Sequence, residues 1–478
     1  MMRTPLIASL MAGLGLLLSG CSAIGPDYQR PSMTDIPGQW KNQNDWSTAQ
    51  PADQQAKQAW WQLFGDATLN RLEADCLANN PSLKLALAHW QQAQAQAGIH
   101  AAASLPTVAA GASASRTRIS ADRPLSSYTS PNSSTIQNNL QPMLSVSYEF
   151  DWLGRVRRDV ESARASAEQS QADSENVRLL LTAQLASAYF QLRELDEEAS
   201  LLQQSIGLQQ KVLRLTRIRH QEGLDSASDQ ATQEASLQAA QAQLSLLDNQ
   251  RHQQQDLLAT LSGQPAAAFT LEPGRLPASL PAIPLAQPAQ LLQRRPDIAS
   301  AERAMAAANA QIGVAKAAWF PLLTLTPSYA GYQSNSLSNL ISAPAMIWSL
   351  GLQASQTLFD NGKTRAGVDY AEAGYLAATA SYRQTVLQAI QEGQDALFTL
   401  QGLNQANTQQ SQAVISQHKA YDISLLRYQE GLDNALTLAI NQQNLLAAQR
   451  LQSQIRGNQF VWSINLLKAL GGGWQAPS

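Results

Sequence analysis

The chain has 478 residues, a formal net charge of −3 at pH 7 and only 14% charged residues. The near-neutral balance excludes the basic footprint of a nucleic-acid binder. A mixture rich in Ala, Gln, Leu and Ser points to long helices with uncharged polar faces, not to a conventional enzyme core. No phosphate loop, nucleophile elbow, Cys-x-x-Cys or His-Glu-x-x-His stands in the sequence, so neither catalysis nor a cofactor or metal site is expected.

Residues 1–20 read as a signal segment, with Arg3 as its basic start and an apolar run from Leu6 to Leu18 that is too short to span a bilayer. The run closes on Leu18-Ser19-Gly20-Cys21, which resembles a bacterial lipoprotein signal. That resemblance makes Cys21 the lipidated, palmitate-bearing N-terminus of the mature chain, and Ser22 is not the Asp that favours retention at the inner membrane. Cys76 is then left without a disulfide partner and is expected as a small buried helix residue. Residues 21–80 form an anchor strap that becomes aromatic at Trp60-Trp61 and includes a short helix from about Asp66 to Ala78. Asn80-Pro81 opens the next helix, to about Ala103, because Asn caps and Pro suits the first helical position.

At Pro106 the period changes to two. Val108, Ala110, Ala112 and Ala114 oppose Thr107, Gly111, Ser113 and Ser115, and Leu140, Leu144, Val146, Tyr148 and Phe150 oppose Gln141, Ser145, Ser147 and Glu149. Later, Leu323, Leu325 and Tyr329 oppose Thr324, Thr326 and Ser328. Met346, Trp348, Leu350, Leu352 and Leu358 mostly oppose Ser349, Gln353, Ser355 and Thr357. Four strands of roughly ten residues suit tilted transmembrane strands. Alternation alone fits a water-soluble sandwich equally well. The lipid anchor, the small polar second face and the aromatics near the strand ends favour a membrane barrel, which four strands cannot close without oligomerising.

From about Arg155 to His220 the pattern is helical, and Leu181, Leu185, Ala188, Leu192, Leu195, Ala199, Leu202 and Ile206 keep a heptad seam. Gln221-Glu222-Gly223-Leu224-Asp225 ends it as a helix stop, with the acidic residue as a new N-cap. Leu237, Ala240, Leu244, Leu247, Leu258 and Leu261 carry the returning helix to Ser262-Gly263. The same pentapeptide recurs at 429–433, an offset of 429 − 221 = 208, and Ala188-Tyr189-Phe190, Arg157 and Ala239-Ala240-Gln241 have counterparts at that offset. The chain is therefore a tandem duplication of a first repeat, 81–263, and a second, 295–471, joined by a Pro-rich linker, 264–294, and followed by a tail, 472–478. The second long helix has a weaker seam, with Gly393 and Asn407 where the first has Leu185 and Ala199.

The lipobox, Trp60-Trp61 with Phe64-Gly65-Asp66, the joints Gly98 to Pro106 and Gly313 to Pro321, Phe359-Asp360-Asn361-Gly362-Lys363 and the two Gly-Leu-Asp tips together resemble the outer-membrane factor family, the TolC-like lipoprotein channels of Gram-negative bacteria. The resemblance implies a mixed, mainly α membrane protein. Each chain would give four transmembrane β-strands and a long coiled-coil helical barrel, closed by trimerisation into a twelve-stranded outer-membrane barrel over a periplasmic α-barrel. It implies a periplasmic adaptor and a proton-driven inner-membrane pump as partners, passive conduction of small toxic compounds such as antibiotics, and no cofactor beyond the lipid on Cys21. Gly223, Leu224, Gly431 and Leu432 match the family's adaptor-docking tips, with Arg214 and Arg217 beside the first as a basic docking surface or a solvated helix end. Asp422, Arg427 and Tyr428 are the candidates for the periplasmic gate. Asp422 is alternatively an exposed helical residue paired with His418 at i, i+4. Two other readings stay open, a conduit for secreted proteins and a non-conducting lipid-anchored coiled-coil spacer, and the sequence does not name the exported compound.

Overall fold

The computed structural model describes residues 23–29, 40, 59–122, 133–283 and 294–472, without the side chains of 326 and 327. Cys21, the signal segment and the tail beyond 472 lie outside the described residues. After a 3-10 turn at Trp60–Phe64, the elements are α1 Ala67–Asn79, α2 Pro81–Ala102, β1 Thr107–Ile119, β2 Thr135–Glu149, α3 Arg155–Gln221 and α4 Ala227–Leu261. The second repeat supplies α5 Pro296–Ala317, β3 Leu322–Tyr332, β4 Met346–Ser355, α6 Lys363–Gln429 and α7 Ala435–Ala469. Two compact units cut across the repeats. One comprises Met1–Pro31, Trp90–Ser170 and Ala301–Tyr382; the other comprises Ser32–His89, Gln171–Ser300 and Arg383–Ser478.

The first unit holds one antiparallel sheet in the order β1-β2-β3-β4, with β1 and β4 as open edges. Directly paired residues share a face. Ala110, Leu144, Ala330 and Trp348 lie in one row and Tyr148, Leu325 and Leu352 in another, so the sheet has one apolar face. Ser145, Tyr329 and Ser349 line up on the opposite face. Tyr329 thus departs from the expected side, because the register shifts by one residue between Thr326 and Tyr329. A β-bulge of that kind inverts strict alternation beyond it. β4 stops at Ser355, so Leu358 lies beyond the strand. Among the described residues the strands have more than marginal contact only with one another, and Val108, Trp348 and Leu350 remain exposed on the apolar face. Among the described residues there is therefore no second sheet against which a sandwich could be built.

The helices of this unit follow the order of the strands. His100 Nδ1 lies 2.6 Å from Asp159 Oδ2 and links α2 to α3. Ser162 Oγ donates to the Ala307 carbonyl at 3.1 Å and links α3 to α5, and Lys316 meets Glu372 at 2.9 Å, linking α5 to α6. The outer members stay bare: Ile99 on α2 and Tyr370 and Leu376 on α6 are exposed.

In the second unit the predicted seam of α3 is turned inward. Leu185, Ala188, Leu192, Leu202 and Ile206 are buried, but Thr182, Tyr189 and Phe190 are buried as well, so the covered face is wider than a two-helix seam. Phe190 stacks on Phe460 of α7 at 4.7 Å and packs against Phe64 at 4.9 Å, while Trp60 Nε1 donates to Thr182. Helix ends abut in the same way in both repeats. Asn80 Nδ2 donates to the Leu261 carbonyl at 2.8 Å, and Arg295 Nη1 to the Ala469 carbonyl at 3.2 Å. The returning helix of each repeat thus ends against the start of that repeat's first helix. Gly393 interrupts the second seam because Trp40 fills its place: a Cβ there would sit 2.5 Å from the indole. Cys76 is buried as expected, its thiol pushed up to about 12 by burial and then by Glu73.

Candidate functional site at the hairpin tips

Both tips close by the same backbone device. Leu224 N donates to the Arg219 carbonyl at 2.8 Å and Gly223 N to His220 at 3.0 Å; Leu432 N donates to Arg427 at 2.8 Å and Gly431 N to Tyr428 at 3.1 Å. This is the paired closure that needs a left-handed residue after the helix, and Gly223 and Gly431 supply it at φ +75 and +73. The following Leu224 and Leu432 are each 68% exposed.

The new helices are not capped by the acidic residues. Ser226 caps α4 in a reciprocal box with Asp229, and Asn434 caps α7 by accepting from Thr437 N at 2.8 Å. The reason lies in what the Asp side chains do instead. Asp225 turns back to Arg219, whose Nε donates to both carboxylate oxygens at 3.1 Å, and Asp433 lies 3.5 Å from Arg427.

Asp225 also reaches the other repeat. Tyr428, 0% exposed, donates its hydroxyl to Asp225 Oδ2 at 2.9 Å and lies 2.8 Å from Thr216 Oγ1. The phenol has one proton and a carboxylate only accepts, so Thr216 donates to Tyr428. The Arg219 guanidinium lies 5.0 Å above the Tyr428 ring, a cation–π contact in a largely desolvated setting. Burial, more than any neighbour, raises the Tyr428 pKa and keeps the phenol protonated. Around this network Val212, Tyr421, Ala435, Leu438 and Leu445 make the apolar core of the tips.

The three gate candidates do not converge. Tyr428 is the buried tie between the hairpins. Asp422 is exposed and bonded to His418 Nδ1 at 2.8 Å, and Arg427 is exposed, with Nη2 donating to the Leu432 carbonyl of its own tip at 3.3 Å. Arg217 pairs with Glu234 at 2.8 Å, and Arg214 projects into solvent. The residues that complete the tie, Thr216, Arg219 and Asp225, carry a sequence signal in hindsight. Duplication sets the hairpins side by side, so positions about 208 residues apart should meet, and Tyr428 follows Thr216 by 212.

Within the first unit, the segment that begins two residues after Cys21 is docked on the start of α3 and on α5. Ile24 N donates to the Leu153 carbonyl at 2.8 Å, Arg158 Nη2 donates to Asp27 at 2.6 Å and Asn309 Nδ2 to the Pro26 carbonyl at 2.8 Å. Gly25 and Gly313 touch backbone to backbone, a Cβ on Gly25 falling 2.6 Å from Gly313 Cα. This explains why the second joint needs its glycine.

The profile of the outer membrane efflux protein family matches residues 73–264 and 288–472. The chain is 32% identical over 465 residues to the pyoverdine export outer membrane protein OpmQ of Pseudomonas aeruginosa strain PAO1, covering 96% of this chain and 97% of that protein. It is 32% identical over 467 residues to the probable efflux pump outer membrane protein TtgC of Pseudomonas putida strain KT2440, covering 97% of this chain and 95% of that protein. Among solved structures, the outer-membrane channel OprN superposes with a TM-score of 0.84 at 30% identity, covering 95% of this chain and 100% of that one.

Proposed function

Because the chain belongs to the outer membrane efflux protein family, we propose that it works as the trimeric exit channel of a tripartite efflux system, passing small toxic compounds from a periplasmic adaptor and an inner-membrane pump to the outside. The observation that carries this reading is the unfinished sheet. Its edges β1 and β4 are open and its apolar face uncovered, while α2 and α6, which flank those edges in the same order, expose Ile99, Tyr370 and Leu376. Backbone groups at an edge cannot be left unsatisfied in lipid. A second copy that sets β4 and α6 against β1 and α2 satisfies them by a head-to-tail contact, which closes into a ring. Three copies bring the strands to twelve, enough for a closed barrel with a polar interior.

The docked segment at 23–28 supports lipid attachment at Cys21 beside the sheet end, where β2 passes into α3. The names of OpmQ and TtgC support a small exported molecule over a secreted protein. The exposed Leu224 and Leu432, with Arg214 and Arg217 alongside, are the proposed adaptor-docking surface. Tyr428 holds the two hairpins of one chain together at rest, Arg427 braces the second tip, and three copies of Asp422 about the ring axis would form a carboxylate ring that attracts cations.

Native mass spectrometry of the membrane-extracted protein, paired with planar-bilayer recording, tests the proposal. A lipid-modified trimer of residues 21–478 that conducts is expected. A monomer, or a trimer without conductance, would favour the spacer.

A further inference from the structure

We propose that the groove between α3 and α5, beside the docked N-terminal segment, binds the phosphate headgroup of an anionic membrane lipid; this rests on the outer-membrane reading above. The groove encloses about 510 Å³ within the first unit. Its floor is apolar, made by Val160, Ala165 and Ala306, and Tyr28 of the docked segment closes one side. Three arginines converge on it, Arg157 and Arg164 from α3 and Arg303 from α5, against two glutamates.

Both glutamates already have a cation. Glu161 accepts from Arg158 at 2.8 Å, and Glu168 meets Arg303 at 3.1 Å. Arg157, half exposed, faces the more enclosed Asp151 at 3.5 Å. Arg164 makes no ion pair or side-chain hydrogen bond among the described residues, so the groove retains positive charge and unspent donors. Arg157 and Arg164 are two turns apart on one helical face, an arrangement that brackets one phosphate with planar donors suited to it.

A neighbouring copy is not needed to cover this groove. Within the unit α3 is flanked by α2 through His100 and Asp159 and by α5 through Ser162 and Ala307, so both lateral neighbours of α3 belong to its own chain. Tyr28, which lines the groove, lies seven residues after Cys21, so a lipid on Cys21 would hold the groove close to the membrane surface. α3 begins at Arg155, directly after the sheet, so at about 1.5 Å per residue Arg157 lies about 3 Å and Arg164 about 14 Å below its start. Headgroup layers extend several ångströms beyond the hydrocarbon core, and arginine side chains reach upward toward such a layer. The apolar floor accommodates the glycerol and the first acyl carbons.

The test is native mass spectrometry of the detergent-solubilised full chain, titrated separately with phosphatidylglycerol, phosphatidylcholine and inorganic phosphate. The wild type is compared with Arg164→Ala, Arg164→Lys and Arg164→Ala/Arg303→Ala. Wild-type trimers should retain up to one phosphatidylglycerol per chain beyond the covalent lipid. Arg164→Ala should cut that retention about tenfold, the double variant further, and Arg164→Lys should restore part of it, with phosphatidylcholine retained weakly and equally by all. Equal phosphatidylglycerol retention in wild type and variants would overturn the proposal, as would preference for phosphatidylcholine. Binding of inorganic phosphate as strong as that of the lipid would also overturn it, showing a free-anion site. The same spectra report the trimer: a trimer without the lipid difference removes this site alone, whereas a monomer removes the channel reading and this site with it. Arg164 is exposed and makes no ion pair among the described residues, so its replacement should leave folding intact.

Discussion

Replacing Tyr428 by Phe isolates the tie between the two hairpins. The ring stays, and with it the apolar packing and the Arg219 contact. What is lost is the hydroxyl that accepts from Thr216 at 2.8 Å and donates to Asp225 at 2.9 Å. A neutral hydrogen bond contributes about 1 kcal/mol net and one to a charged group about 1.5–3 kcal/mol. Asp225 keeps both contacts to Arg219, so its desolvation is largely still compensated. The closed arrangement should therefore lose about 2 kcal/mol, which raises the ratio of open to closed channels about 30-fold at 1.36 kcal/mol per factor of ten. Single-channel recording reads this directly as open probability, and sensitivity to antibiotics too large for a closed outer membrane reads it in cells. Combining Tyr428→Phe with Asp225→Ala should cost less than the sum of the two single changes, because both remove the Tyr428–Asp225 bond. An open probability that stays within threefold of wild type, in a variant that still runs as a trimer, would refute the assignment of this tie to the closed state.

Two further outcomes follow from the second unit. Asp196, with a side chain 1% exposed, accepts from Arg193 at 2.8 Å, Arg251 at 2.6 Å and Gly274 N at 2.8 Å; Asp196→Ala leaves two arginines without their shared anion and should cost about 3–5 kcal/mol, read as a lower urea midpoint and faster proteolysis of the linker around Gly274. Glu194 is raised to about 7 by burial and then by Glu198, with Glu197 adding to the shift and Arg450 opposing it. Since its folded pKa lies above the unfolded value of 4.5, the fold holds the proton more tightly, and stability falls as pH rises from about 4.5 to about 7. Glu194→Gln should flatten the pH profile of the melting temperature across that window and melt higher than wild type above pH 7.

The repeat, the strands and the helical hairpins were legible because each rests on a local pattern. The period of two after Pro106 and the seam from Leu181 to Ile206 each need one segment's sequence only. What escaped depends on a partner. The bulge before Tyr329 is set by pairing with β2 and β4, and its residues alternate no differently from their neighbours. The acidic residue after each tip glycine has the chemistry of a cap, and only the position of Arg219 and Tyr428 shows why Asp225 turns away from that role. Gly393 looks like a defect in the second seam until Trp40, more than 350 positions earlier, is seen to fill the space. The gate trio was grouped by proximity along one helix, yet adjacent helical positions face different directions. Hence Tyr428 went inward, Asp422 outward and Arg427 back onto its tip.

The duplication also indicates where motion would be cheapest. Within one chain α3 of the first repeat is pinned to α7 of the second by charge, Arg450 binding Glu198 and Arg456 meeting Glu197 at 2.8 Å. Shifted by the repeat offset, the positions that would face each other between α6 and the α4 of a neighbouring copy are Ala406 opposite Ala242 and Gln405 opposite Asp248. The buried tie has no second instance either, since the position equivalent to Tyr428 in the first repeat is His220, which is occupied with the Asp225 carbonyl of its own tip at 2.9 Å. A perfectly repeated sequence would make the seams within and between copies equally strong, and a ring of such seams would have no preferred place to part. In this chain the repeat offset reproduces neither these two ion pairs nor the Tyr428 bond. In a closed trimer each chain would therefore move as a unit while the seams between copies slide, until the loss of the Tyr428 tie frees the second hairpin from the first.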